Sequence, residues 1–349
     1  MKPWKSIGIA LLSILLTGCA LAPTASDAEL SRFSGSFLDV FDTVTQVIVY
    51  ETDEAAAEVQ VRAIHDELLI YHQLFDIYNA YEGVNNLYTV NAQAGIAPVK
   101  VDGRVLDFID YAKRMYTESG GKVNIAMGSV LSIWHAYREA GIEDPEHAAL
   151  PPMDALREAA RHMDIEQIVV DRDAGTVYLA DADMRLDVGA IGKGYAGQRV
   201  VEMMRARGTT SMLLSLGGNV CGIGRRADGK DWKVGIQDPD MEHYLCYVSV
   251  NDQCLVTSGT YQRYYTVEGK RYHHIIDPET LMPAAYFDSV SVLCDDSALA
   301  DALSTTLSIL PLDEGTALVE SLENVEAMWL DLSGKQTMSS GFMRFVTEG

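Results

Sequence analysis

Asp187-Val188-Gly189-Ala190-Ile191-Gly192-Lys193-Gly194-Tyr195-Ala196 places three glycines and a lysine where an extended segment passes into an apolar-periodic one. The spacing predicts a helix from residue 191 to about 207 that stops before Gly208, a residue suited to a helix end. Downstream, short alternating segments near 211–217, 231–236, 245–250, 254–258, 261–267 and 271–276 read as strands, and 297–310 reads as a helix stopped at Pro311. Upstream, 37–50 reads as a strand with Thr43 and Thr45 on one face, followed by a helix over 53–81 starting near Thr52. Val59, Ile64, Leu68, Leu69 and Leu74 would form its apolar stripe. A loop over 82–98 leads to a helix over 104–118, broken at Ser119-Gly120-Gly121, and to another over 127–139 through Val130, Ile133, Trp134 and Tyr137. Pro151 and Pro152 open a short helix, and Asp171-Arg172-Asp173-Ala174-Gly175 joins a hairpin. Helices mixed with hairpins of this kind imply an α+β (mixed α/β) fold over 35–349: one compact unit, a second lobe left open, with a largely antiparallel sheet core and flanking helices.

The amino terminus bears on location. Lys2 and Lys5 precede an apolar run over 7–16, and Leu16-Thr17-Gly18-Cys19 follows. A bilayer-spanning helix needs about 20 apolar residues, so 1–18 reads as a cleaved lipoprotein signal peptide with Cys19 the lipidated residue. Residues 19–34 would then be a tether, and the protein extracytoplasmic and lipid-anchored to the cell membrane. A formal charge of −23 repels nucleic acid and anionic headgroups, which excludes nucleic-acid binding and leaves attachment to acyl chains. Cys221, Cys246, Cys254 and Cys294 match no Cys-x-x-Cys spacing; buried thiols are the simpler reading, with a disulfide left open.

Several clusters carry chemistry. The helix start at Gly192-Lys193-Gly194 offers free N–H groups and a positive dipole end to an anion. On the helix near 300, Asp301 and Thr305 are four apart and share a face, so a carboxylate and a hydroxyl can meet one cation with Mg²⁺-type oxygen ligands. The apolar neighbours Ala300, Ala302 and Leu303 argue that the carboxylate has a partner. His274 at a strand end is a candidate general base, with His273 facing the other way. Ser258, Gly259 and Arg263 offer a hydroxyl, open backbone and a guanidinium to phosphate oxygens. Gly217-Gly218-Asn219 reads as a tight turn.

Taken in order, Leu186 to Ala196, Leu216-Gly217-Gly218-Asn219, Ser258-Gly259 with Tyr261 and Arg263, His274-Ile275-Ile276-Asp277-Pro278 with Thr280, and Ala300 to Thr305 resemble the motifs of the ApbE-type FAD:protein FMN transferases. The similarity begins at Phe41-Asp42-Thr43, where the family has a Met-Gly-Thr strand. It implies a Mg²⁺-dependent enzyme that moves FMN from FAD to a Thr or Ser hydroxyl of an extracytoplasmic acceptor and releases AMP. Ala190, Asp301 and Thr305 would hold the metal, and His274 and Asp301 would serve catalysis. Phe41, Tyr78, Lys122, Val123, Asn124, Asp187, Lys193, Ser258, Gly259 and Arg263 would line the FAD site. The resemblance also implies acceptors with a Ser/Thr flavinylation motif, of the RNF or sodium-pumping NADH:quinone reductase type. Departures are Phe41 for Met, Lys122-Val123-Asn124 for Ala-Phe-Asp, and Leu281-Met282 where a glycine turn is usual. Alternatives are an FAD pyrophosphatase giving FMN and AMP, and a non-catalytic flavin-binding lipoprotein.

Overall fold

The computed structural model describes residues 30–348. The expected signal peptide, Cys19 and the tether as far as residue 29 lie outside the described residues. The strand expected over 37–50 is instead a hairpin, β1 (Ser31–Phe37) and β2 (Thr45–Glu51), with antiparallel register from Ser31↔Glu51 to Phe37↔Thr45. Ser31 to Ser34 therefore belong to a strand and not to the tether. Phe33 and Phe37 alternate with polar residues and pack against the core, which holds β1 down.

Helix α1 (Glu54–Phe75) is capped by Asp53, whose carboxylate accepts the Ala56 N–H at 2.9 Å, in place of the expected Thr52. It stops short of 81 because extended Asp76 turns its carboxylate onto the Tyr78 and Asn79 amides. The predicted 82–98 loop contains α2 (Leu87–Ala92), capped by Asn86. Next come β3 (Val99–Lys100), α3 (Gly103–Glu118), α4 (Gly128–Glu143), α5 (Met153–Ala159) and the expected hairpin of β4 (Ile168–Asp171) and β5 (Thr176–Leu179). Helix α6 (Gly192–Ala206) leads to β6 (Met212–Leu216), β7 (Asn219–Ile223), β8 (Trp232–Gln237), β9 (Tyr244–Val250), β10 (Cys254–Gly259), β11 (Tyr264–Val267) and β12 (Lys270–His273). The chain ends in β13 (Phe287–Cys294), α7 (Ser297–Ile309), α8 (Leu312–Ser321), β14 (Glu326–Asp331), β15 (Gln336–Met338) and β16 (Val346–Thr347).

The main sheet has eight strands in the order β1-β2-β6-β7-β10-β13-β14-β15, every pair antiparallel. Its strands are covered on both faces. One face carries α1, α6 and α7 through Val47, Val49, Leu214, Val256 and Val292; the other meets the β16-β9-β8 sheet through Leu213, Leu255, Leu293 and Met328. Such two-sided burial leaves almost all of β13 inside, Ser289 and Ser291 included. The arrangement bears out the α+β reading. No helix among the described residues is long and apolar enough to cross a membrane.

Candidate active site

The site forms where α6 begins against α7. Gly194 permits the contact: a side-chain carbon there would overlap Asp301 Cβ and the Ser297 carbonyl. Its amide donates to Asp301 Oδ2 at 2.7 Å. Asp301 is 4 % exposed. Burial raises its carboxyl above the usual range, against the pull of Lys193, the Gly194 amide and the Asn219 side chain. One turn along α7, the Thr305 hydroxyl donates to the Ala190 carbonyl at 3.3 Å. Ser304 bonds Ser258 Oγ at 2.7 Å, tying β10 to the same turn.

Asp301, Thr305 and Ala190 thus present a carboxylate, a hydroxyl and a carbonyl oxygen in one place, the hard donor set that suits Mg²⁺. Beside them the Asn219 side chain is buried and faces the Asp301 carboxylate. A carboxylate whose charge is disfavoured by burial gains most from a divalent cation. The residues present fit the metal.

His274 stands just past β12. Its Nδ1 lies 3.2 Å from the Arg263 carbonyl, which assigns the proton to Nδ1 and a free lone pair to Nε2. Burial first, then Arg263 and His273, push the imidazole down to about 3, and Lys193 adds to this. His273 has both nitrogens occupied, Nε2 donating to the Ala284 carbonyl at 2.8 Å and Nδ1 accepting the Ile275 N–H at 3.2 Å. It clasps the turn that follows His274. Within that turn Leu281, in the glycine position, keeps φ at 59°, and its carbonyl accepts the Trp134 indole N–H at 2.9 Å. The left-handed turn survives without glycine, at a cost of about 1–2 kcal/mol.

A second group lies alongside. Asp187 accepts the Gly189 N–H at 2.9 Å; burial raises its carboxyl, opposed by His135, Arg263 and Arg138. Tyr78, 58 % exposed, bonds His135 Nδ1 through its hydroxyl at 3.0 Å. Partial desolvation of the phenol, in a residue otherwise more than half exposed, and then the Asp187 charge push it up to about 12. Among the described residues, Arg138, Lys193 and Arg263 belong to no ion pair, so three cations face this region uncommitted. A polyanion is the ligand that such a group suits.

Four expected residues present less than the sequence suggested. Lys122 bonds Glu279 at 2.6 Å and Asp277 at 3.5 Å, so its ammonium is committed to the turn beyond His274. Val123 is 1 % exposed and packs in the core. The Asn124 amide is spent on the Met163 carbonyl and the Ala126 N–H, both at 2.9 Å. Gly259 lies under Tyr261, where a side-chain carbon would come within 2.6 Å of the ring. Phe41 takes a left-handed conformation, φ 55°, in the β1–β2 turn, its N–H on His72 Nδ1 at 3.1 Å. Sequence reasoning held Asn219 and Ser304 within site motifs without giving either a role, and passed over His135 and Arg138. The spacing of His135 and Arg138, three apart on a predicted helix, was the available signal.

The model of the ApbE family matches residues 41–329. A Treponema pallidum protein named FAD:protein FMN transferase is 34 % identical over 99 % of this chain and 98 % of its own length. A Klebsiella pneumoniae protein of the same name is 30 % identical over 79 % of this chain and 86 % of its own. Among solved structures, the ApbE protein of Thermotoga maritima superposes with a TM-score of 0.79 at 23 % identity, covering 91 % of this chain and all of the other. The flavin transferase ApbE of Vibrio cholerae gives 0.74 at 20 % identity, covering 90 % of this chain and 99 % of its own.

Proposed function

Since the chain belongs to the ApbE family and is an FAD:protein FMN transferase, we propose that it joins FMN to a Thr or Ser hydroxyl of an extracytoplasmic acceptor protein, with Mg²⁺ and with release of AMP. The observation that carries this reading is the convergence of Ala190, Thr305 and Asp301 at the start of α6. Those three residues would hold the metal, which when bound supplies charge neutralisation on the pyrophosphate. Lys193 and Arg263 would grip the same oxygens; the Gly192 and Gly194 amides, expected to be free, are spent on the Val188 carbonyl and on Asp301. Tyr78 and Asp187 would meet the flavin portion, with Arg138 and His135 behind them.

His274 Nε2 would take the proton from the acceptor hydroxyl as its oxygen attacks the FMN-side phosphorus. The bond to the AMP oxygen breaks, and AMP leaves with the bonding pair. Bound pyrophosphate neutralises Arg263 and Lys193, two of the charges that depress His274, so the substrate itself strengthens the base. No covalent enzyme intermediate is needed, because alignment and charge neutralisation suffice for such a transfer. We further propose that residues 1–18 are removed and Cys19 lipidated, which would hold the enzyme at the membrane beside acceptors such as RNF or sodium-pumping NADH:quinone reductase subunits.

The test is to incubate purified protein with FAD, Mg²⁺ and a candidate acceptor, then measure protein-bound FMN by mass spectrometry and free AMP in parallel. Equimolar FMN-protein and AMP support the reading. AMP without labelled protein would identify a hydrolase, and FAD binding with neither product a carrier.

A further inference from the structure

Three cysteines stand side by side across the main sheet. Cys254 of β10 is opposite Cys221 of β7 on one side and Cys294 of β13 on the other, and each is at most 2 % exposed. Opposed residues share a face, here the one beneath α6 and α7.

The two pairs are not equivalent. The Gly222 N–H donates to the Gln253 carbonyl at 2.8 Å, which makes the adjacent row hydrogen-bonded and leaves Cys221/Cys254 as a non-hydrogen-bonded pair, with Cα atoms about 4.5 Å apart and side chains close. Across β10, the Thr260 N–H donates to the Asp288 carbonyl at 2.9 Å. The same register carried back to Cys254 makes Cys254/Cys294 a hydrogen-bonded row, about 5.5 Å apart. The Cys294 thiol is also engaged, donating to the Asp296 carbonyl at 3.1 Å. Cys246 lies on β9 against Met328 Sδ at 3.9 Å. Above Cys221, Gly197 leaves space: a side-chain carbon there would sit 3.8 Å from the sulfur.

We propose that Cys221 and Cys254 are an oxidation site that closes to a disulfide between β7 and β10. Two S–H bonds are replaced by one S–S bond, and a disulfide-bearing oxidant takes the two electrons and two protons to become two thiols. The neighbouring Cys221 thiol, then burial, hold Cys254 protonated, so the bond forms as the sheet assembles and not by attack through the finished helices. The bridge lies one side-chain row from Asn219, the neighbour of Asp301, and so fixes the floor of the site. Closing a loop of about 33 residues lowers the unfolding equilibrium constant by roughly 10²–10³-fold in the chain-entropy relation.

To test this, the full chain is refolded from reducing denaturant with oxidised glutathione, alkylated in denaturant, digested and mapped. The expected product links Cys221 to Cys254 and leaves Cys246 and Cys294 alkylated. Its unfolding constant should fall below that of the reduced form by the stated factor, a difference kept in Cys294→Ser and lost in Cys254→Ser. If Cys254→Ser does not fold, Cys221→Ser removes the same bond from the other strand. Four alkylated cysteines, a dominant Cys254–Cys294 link, or a linked form no more stable than the reduced one would each overturn the assignment.

Discussion

Replacing Asp301 by Asn removes a charge and little else, since the amide oxygen still accepts the Gly194 N–H. In the metal-free protein burial raises the Asp301 carboxyl above its ordinary value. A group shifted upward in this way is neutral in both states at low pH. Its contribution to stability is lost as pH rises through the folded-state pKa, so at neutral pH the ionised side chain opposes folding. Metal-free Asp301→Asn should therefore be at least as stable as wild type at pH 7.5, with a flatter pH dependence above pH 4. Added Mg²⁺ reverses the ranking. At a hundredfold excess over Kd a ligand stabilises the native state by about 2.7 kcal/mol. An unfolding entropy of about 2.1 cal/mol/K per residue over the 319 described residues, 30–348, converts this to a rise in Tm of about 4 °C. Thermal melts with EDTA and with a Mg²⁺ series on both proteins give the comparison, with FMN transfer measured on the same samples. Wild type should show the rise, Asp301→Asn should show none and transfer no FMN, and Thr305→Ala should fall between. An equal Mg²⁺-dependent rise in Asp301→Asn, or none in wild type, would refute the metal assignment.

His274→Ala should lower the transfer rate by roughly 10²–10⁴-fold with FAD affinity retained. Because the imidazole is pushed down to about 3, it stays neutral in the free enzyme at all ordinary pH; an inflection in kcat/KM near pH 6.5 that vanishes in His274→Ala would contradict this. His273→Ala, which strips two hydrogen bonds from the turn behind His274, should cost about 1–3 kcal/mol in denaturant unfolding, and an unchanged midpoint would show the clasp to be dispensable. Gly194→Ala should destabilise by about 1–3 kcal/mol through forced separation of α6 from α7 and should abolish the Mg²⁺ response, whereas a normal response would mean the close approach is not needed. Cys19→Ser should move the protein out of the membrane fraction of expressing cells, and retention there with unchanged mobility would dispose of the lipid anchor.

The legible parts of this chain were those with a local signature. The glycines and lysine at 192–194 announced the start of α6, and the four-residue spacing of Asp301 and Thr305 placed both on one face of α7, where the structure has them. Strand β14 escaped because both of its faces are covered, so Ala327 to Leu330 lacks the alternation that marks a half-exposed strand; β13 does alternate over Ser289 to Val292, but its serines are buried. The turn expected at Gly217-Gly218-Asn219 is the hairpin turn between β6 and β7, but β7 itself escaped because Asn219–Ile223 is covered on both faces and shows no regular alternation. The partners of Lys122 and Asn124 at 277, 279 and 163 were not legible, because they are set by tertiary packing that no local pattern encodes.

The bonds that assemble the site join residues far apart in the chain: Gly194 to Asp301 spans 107 positions and Thr305 to Ala190 spans 115. Contacts of such separation form only after the intervening sheet has closed, because loop entropy must be overcome before they can contribute. A polypeptide still emerging from the ribosome, released as far as α6 but not yet α7, holds the lysine and glycines without the carboxylate. It has no means of engaging FAD chemistry during its own synthesis. Activity waits on the stretch from α7 (Ser297–Ile309) onward, and any truncation that removes residue 301 should yield an inert chain however well its first strands fold.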